Sequence, residues 1–347
     1  MAEIRPSDHK DSELTVDAGV LVPVRNEGKA RISSSRLKRG SSPTVREGSQ
    51  LRFTKGTPIM KHDALIVPPG KKIRLKDFDP AHTGKFHSKD EAQEKLARDI
   101  LRLAEYQTVL YAQDTYALLI IFQALDAAGK DSTIKHVMSG VNPQGTQVFS
   151  FKQPSAEELD HDYLWRYHKA VPERGRIGIF NRSYYEEVLV VRVHPELLKA
   201  EKLAPGTAKK DIWKQRFEEI NDFEHYLVRN GVAVLKFFLN VSREEQRRRF
   251  LARLDTPEKN WKFSLSDVKE RAHWNDYQKA FEAVFNHTST KWAPWYVIPA
   301  DHKWFTHVAV ADIINSKLKS LNLKYPTVSK ERMQELQIAR EMLEKER

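Results

Sequence analysis

Five short runs of apolar and β-branched residues recur along the chain: Tyr116 to Phe122, Thr146 to Phe151, Arg176 to Phe180, Val232 to Leu239 and Trp295 to Ile298. Stretches with helical spacing of apolar positions fill the gaps between them. Apolar runs of this length without strict alternation suit strands buried on both faces. Their alternation with helices predicts an α/β fold with one parallel sheet, covered on both sides and binding ligands outside the carboxyl ends of its strands. Three helix starts carry the S-x-x-E capping box, in which the Ser oxygen and the Glu carboxylate each satisfy an orphan backbone N–H. They are Ser88 with Glu91, Ser155 with Glu158, and Ser242 with Glu245.

The ends of the chain read differently. Residues 1–60 mix Ser, Gly, Pro and charge with little apolar periodicity, which predicts a flexible basic N-terminal tail. Residues 326–347 predict a charged terminal helix, either a solvated appendage or an oligomer contact. That leaves residues 61–325 as one large domain of a 347-residue chain. Lys and Arg outnumber Asp and Glu by 58 − 47 = 11, so polyanions are the natural partners: nucleic acid, membrane headgroups or inorganic phosphate chains. Cys is absent, which removes thiolate chemistry and fits a reducing compartment. There is no apolar run of about 18 residues. The start lacks a secretory layout and is too acidic for a transit peptide, so a soluble cytoplasmic protein with no membrane association is expected.

Chemistry concentrates after the first apolar run, where Asp126-Ala-Ala-Gly129-Lys130-Asp131-Ser132-Thr133 leads into a helical pattern. A helix start with open N–H donors and a Lys beside it binds phosphate through those donors and the helix dipole. The match to G-x-x-x-x-G-K-[ST] is imperfect: Ala124 holds the first glycine position, and Asp131 stands where a magnesium-binding hydroxyl is expected. The third run ends in Asn181-Arg182, at the place where a phosphoryl-transfer enzyme commonly carries an acidic group for the metal or its water. An Asn181 amide oxygen can still accept from metal-bound water, with Asp126 and Asp131 supplying negative charge to Mg²⁺, and Arg182 can clamp a phosphate. Beyond the fourth run, Gln246, Arg249 and Arg253 share one helical face and can offer two guanidinium groups, while Arg247 and Arg248 read as solvated. Between Trp261 and Tyr277 aromatics interleave with charge, which suits a lid helix or a nucleic-acid stacking surface. Histidines show no metal-ligand spacing.

Taken in order, Arg74-Leu-Lys-Asp-Phe-Asp-Pro80, Asp126-Ala-Ala-Gly-Lys130, Ser139-Gly-Val-Asn-Pro-Gln-Gly145, Phe180-Asn-Arg-Ser-Tyr-Tyr-Glu-Glu187, Glu244-Glu-Gln-Arg-Arg-Arg-Phe250, Trp261-Lys-Phe-Ser264 and Trp292-Ala-Pro-Trp295 closely resemble the second family of polyphosphate kinases. The resemblance runs from about Leu65 to Asn322. It implies a P-loop kinase fold with a five-stranded parallel sheet and a helical lid at about residues 243–280. The implied activity is reversible, Mg²⁺-dependent transfer of phosphate between inorganic polyphosphate and nucleotides. By position it makes Asp126 and Lys130 the metal-binding and phosphate-binding residues of the loop, together with Gly129, Asp131, Ser132 and Thr133. Asn181 and Arg182 fall on the second catalytic motif, where many members have Asp then Arg. Asn at 181 resembles the class III branch, which accepts both AMP and ADP. Arg249 and Arg253 match lid arginines, Arg74 and Lys76 a polyphosphate channel, and Glu186 and Arg192 further nucleotide or phosphate contacts. A homo-oligomer is expected and a nucleic-acid partner is not. Two other readings stay open at this point: an ATP-dependent nucleoside monophosphate kinase and a non-catalytic, basic polyanion-binding protein.

Overall fold

Residues 117–123 are buried at every position, and so are residues 232–240, which is the burial that a strand inside a doubly covered sheet demands. In the computed structural model, which describes residues 60–346 apart from His87 and residues 208–210, these two runs are neighbouring central strands. The tail expected over residues 1–60 lies, but for its last residue, outside the described part. The strands are β1 (Ala117–Gln123), β2 (Thr146–Ser150), β3 (Ile177–Asn181), β4 (Val232–Asn240) and β5 (Trp295–Pro299). They form one parallel sheet, as the sequence pattern predicts, and their order in it is β2-β3-β1-β4-β5. Edge strand β2 is largely exposed, whereas the other four are buried almost throughout.

The helices are α1 (Lys89–Gln113), α2 (Lys130–Val137), α3 (Ala156–Leu159), α4 (Trp165–His168), α5 (Glu186–Val193), α6 (Ile212–Arg229), α7 (Arg243–Leu254), α8 (Leu265–Glu270), α9 (Trp274–Thr288), α10 (Lys303–Ser320) and α11 (Lys330–Lys345). Helices α1, α2 and α10 pack together as one layer, and α5, α6 and α9 as another. The segment expected to be a lid comprises α7, a 3-10 turn at Pro257–Lys262, α8 and the start of α9. No described helix is long and apolar enough to cross a membrane. α11 is the predicted charged terminal helix, exposed along its whole length.

Ser88, Ser155 and Ser242 all cap helices, each accepting from the backbone N–H three residues on. Ser155 also receives the reciprocal bond, its N–H donating to Glu158 Oε2 at 2.8 Å. At Ser242 the expected reciprocal bond is replaced: Glu245 turns its carboxylate to Arg248 and Arg249 on the next turn, which offer charge-assisted donors.

Because β1 lies between β3 and β4, the loops leaving it and β3 diverge to opposite sides at the middle of the sheet, where α/β folds bind ligands. A buried charge fixes this region. Lys236 of β4, fully enclosed, donates to Glu224 Oε2 at 2.6 Å, to the Thr288 carbonyl at 2.7 Å and to Tyr185 Oη at 3.0 Å. Tyr184 and Tyr185 both donate to Glu224 Oε1. All three ammonium protons are thereby used, and the segment that follows Arg182 is locked to β4, α6 and α9.

Candidate active site

The turn from β1 into α2 is the first wall of the site. Ala127 has φ 59° and Gly129 φ 111°, so the chain passes twice through left-handed backbone before α2 begins. Gly129 serves as the N-cap of α2, its carbonyl accepting from Thr133 N at 2.9 Å. A helix start leaves its first N–H groups without intrahelical acceptors, and those at Lys130 and after it belong to this class. The Lys130 ammonium folds back over the loop to the Ala124 carbonyl at 2.9 Å. Burial pulls its pKa below the usual lysine range, and the Asp126 carboxylate opposes that pull.

The second wall comes from the end of β3, one strand over. Arg182, itself left-handed at φ 67°, donates its backbone N–H to the Phe122 carbonyl at 3.0 Å, which aims its side chain at the loop. Its guanidinium donates to Asp126 Oδ1 at 3.2 Å. Burial works against the Arg182 charge, but Glu186 and Asp126 outweigh it and raise the pKa. Asn181 donates from Nδ2 to Asp131 Oδ1 at 2.8 Å and to Ser150 Oγ at 3.4 Å, so its amide orients Asp131. Glu186 at the start of α5 accepts from Gln123 Nε2 at 2.7 Å.

The third wall is the segment after β4, facing the loop after β5. Together the three enclose a cleft of about 1360 Å³. Of the residues singled out in the sequence, Asp126, Gly129, Lys130, Asp131, Ser132, Asn181, Arg182, Arg249 and Arg253 line it. The others stand elsewhere. Thr133 is buried and its hydroxyl donates to the Gly129 carbonyl at 3.0 Å, which turns it into the helix rather than toward a phosphate. Arg192 lies over the Phe217 ring at 5.7 Å, with its pKa lowered by burial, so it packs against α6 and does not line the cleft. Arg74 precedes and Lys76 lies within a 3-10 turn (Leu75–Asp77) held against α9, where Leu75 N donates to Glu282 Oε1 at 2.8 Å and Ile73 N to Asn286 Oδ1 at 2.8 Å; neither lines the cleft. Arg248, read from sequence as solvated, does line it, as do Lys259, Trp261, Asp267, Lys303 and Trp304. Arg248 was missed because it sits one residue off the face that carries Gln246, Arg249 and Arg253.

Two smaller cavities open beside the cleft. One, of about 630 Å³, is lined by Phe151, Tyr163, Tyr167 and Val190 between the β2–β3 connection and α5. The other, of about 420 Å³, lies among α5, α7, α8 and α9 and is bounded by His194, Trp274 and Tyr277. Glu186 lines both of these, and Arg182 lines all three. In the first, burial raises the Glu187 pKa, helped by Glu201 beside it and opposed by Arg216.

The donor set also suits a magnesium ion. Asp126, Asp131 and Asp267 line one cleft and present hard oxygen atoms. Among the described residues no group of three or more His, Asp or Glu is placed to hold a metal ion by itself. Mg²⁺ is usually bound through one or two carboxylates, with waters and substrate phosphates completing its shell.

A left-handed turn into a helix start after the central strand, an arginine at the end of the adjacent strand and helices inserted between β4 and β5 are the arrangement of a P-loop phosphotransferase of the kinase type. The chain belongs to the polyphosphate kinase 2 family: the model described as Polyphosphate kinase 2 matches residues 86–326. It is 48% identical over 278 residues to an ADP-polyphosphate phosphotransferase of Rhodopseudomonas palustris, covering 80% of this chain and 96% of that one. An AMP/ADP-polyphosphate phosphotransferase of Meiothermus ruber is 45% identical over 261 residues, covering 75% and 94%. The crystal structure of polyphosphate kinase 2 from Arthrobacter aurescens superposes with a TM-score of 0.74 at 39% identity, covering 82% of this chain and 99% of that one.

Proposed function

We propose that the protein transfers a terminal phosphoryl group from inorganic polyphosphate to AMP or ADP, reversibly and with Mg²⁺. A terminal phosphate oxygen of the nucleotide attacks the last phosphorus of the chain. The new P–O bond forms as the bond to the bridging oxygen breaks, and the shortened chain leaves with that oxygen. The nucleophile is already an anion, so no protein base is needed. The protein contributes positioning and charge neutralisation, which dominate phosphoryl transfer.

The observation that carries this reading is the position of Arg182, whose side chain borders the large cleft and both side cavities. A guanidinium there touches donor and acceptor phosphates where they meet. The cleft, with Lys130, Arg248, Arg253, Lys259 and Lys303 along it, suits the polyphosphate chain. The 630 Å³ cavity with Phe151, Tyr163 and Tyr167 suits a nucleoside, whose flat apolar base needs aromatic walls. Asp126 and Asp131 would hold the magnesium ion, which when bound neutralises phosphate charge. The names of the relatives from Rhodopseudomonas palustris and Meiothermus ruber support both acceptors.

The deciding experiment supplies magnesium, polyphosphate and either AMP or ADP, leaves out ATP, and identifies the nucleotides formed. ADP from AMP, or ATP from ADP, is the expected product; no conversion of either overturns the proposal. Lys130→Ala should lower turnover by about a thousandfold or more while the circular dichroism spectrum stays native.

A further inference from the structure

The guanidinium of Arg249 has no donor left for a phosphate. Its Nε donates to Glu245 Oε1 at 2.7 Å. One terminal nitrogen donates to the Ala127 carbonyl at 3.0 Å and the Ala128 carbonyl at 2.8 Å. The other donates to the Ala300 carbonyl at 2.5 Å and the Asp301 carbonyl at 3.2 Å. A guanidinium carries five N–H groups, and these contacts use all of them. One turn earlier on α7, Gln246 Nε2 donates to the Asp126 carbonyl at 2.9 Å, while its Oε1 accepts from Arg271 at 2.5 Å, which fixes the amide orientation. Three consecutive carbonyls of the phosphate loop, at residues 126, 127 and 128, are therefore held by two side chains of α7.

From this we infer that Arg249, with Gln246, is a positioning residue: it staples the phosphate loop to the root of the lid and to the loop after β5. Of the adjacent pair Arg248 and Arg249, it is Arg248 whose guanidinium meets the donor phosphates. Holding these carbonyls fixes the orientation of the loop's peptide groups, one of which, at Ala128, donates its N–H to the Leu125 carbonyl at 3.3 Å. Ala127 has a left-handed backbone that a side chain disfavours, and its carbonyl is one of those held. Arg248 lines the cleft with its side chain 71% exposed and is paired only locally, with Glu245 one turn before it. Its Nε and one terminal nitrogen donate to the two Glu245 carboxylate oxygens at 2.6 and 2.7 Å, which leaves three of its five N–H groups open to an incoming phosphate.

The kinetic side of this inference rests on the proposed phosphotransfer, so the test includes a measurement that does not. Amide hydrogen exchange of residues 127–132 is followed in the ligand-free protein for wild type, Arg249→Gln, Gln246→Leu and Arg248→Gln. Kinetics and the salt dependence of polyphosphate binding are then measured on each. Arg249→Gln should speed exchange across the loop and lower kcat by about a hundredfold, the cost of a misplaced site, with the salt slope unchanged. Arg248→Gln should leave loop exchange as it is and make the salt slope shallower by about one phosphate contact. The inference is overturned if Arg249→Gln reduces the salt slope while loop exchange stays at the wild-type level. Should Arg249→Gln fail to fold, Gln246→Leu decides: faster exchange at residues 127–129 supports the staple, and unchanged exchange overturns it. If wild-type protein shows no turnover at all, the phosphotransfer proposal falls while the exchange data still judge the staple.

Discussion

At the scale of single residues, the side chains that reach the cleft are sorted by what else was available to them. Thr133 and Arg192 carry the right chemistry in the right stretch of sequence, yet each found a nearer partner: a carbonyl within its own helix and an aromatic ring. Sequence spacing locates a residue on an element, but the competition for its donors is decided by neighbours from distant parts of the chain. His307 illustrates the same point. It stacks on His136 at 4.5 Å beside Ser132, and burial, together with His136 and Lys303, depresses its pKa to about 4 from 6.5. Below pH 6.5 the unfolded chain takes up a proton that the folded protein refuses, so stability declines as the pH falls from about 6.5 towards 4 and is intact above that window. His307→Gln should remove a stability loss on the order of 2 kcal/mol between pH 7 and pH 5. Urea midpoints at the two pH values for both proteins give the comparison, and equal slopes would sink the assignment.

At the scale of elements, the strands were legible to within a residue or two because four of the five are enclosed on both faces, so their apolar runs are nearly unbroken. The lid region was legible as helical, but which of its arginines faces the cleft was not, since a shift of one position on a helix turns a side chain by about 100°. The Lys236 and Glu224 pair ties β4 to α6, and breaking one partner strands a buried charge. Glu224→Ala should cost about 3–5 kcal/mol, whereas Glu224→Leu combined with Lys236→Met should recover most of that loss. Denaturant titration of the two variants measures it, and additive losses in the double variant would contradict the reading. Helix α11 presents the opposite case, with every residue exposed. Removing residues 326–347 should leave the unfolding free energy within about 0.5 kcal/mol of wild type, as read by the same titration.

At the scale of the whole molecule, the excess of 11 positive charges becomes intelligible once several of them are seen to line one cleft. Binding of a long phosphate chain there releases counterions, so affinity should fall steeply with salt, with a slope on the order of −4 in a double-logarithmic plot. A nearly flat plot from direct binding measurements would place the chain elsewhere. The phosphate loop could be read before any coordinates because all of its parts are contiguous in sequence. The side cavities could not, because segments nearly seventy positions apart, such as Phe151 and Glu219, build their walls.

The meeting of three chambers at one guanidinium also limits how the protein can be altered. If the two substrates meet at Arg182 as proposed, a change there reaches both at once, and no replacement will tune the choice of nucleotide while sparing the grip on the inorganic chain. Engineered selectivity has to begin at the far ends of the chambers, where each is bordered by residues the others do not share.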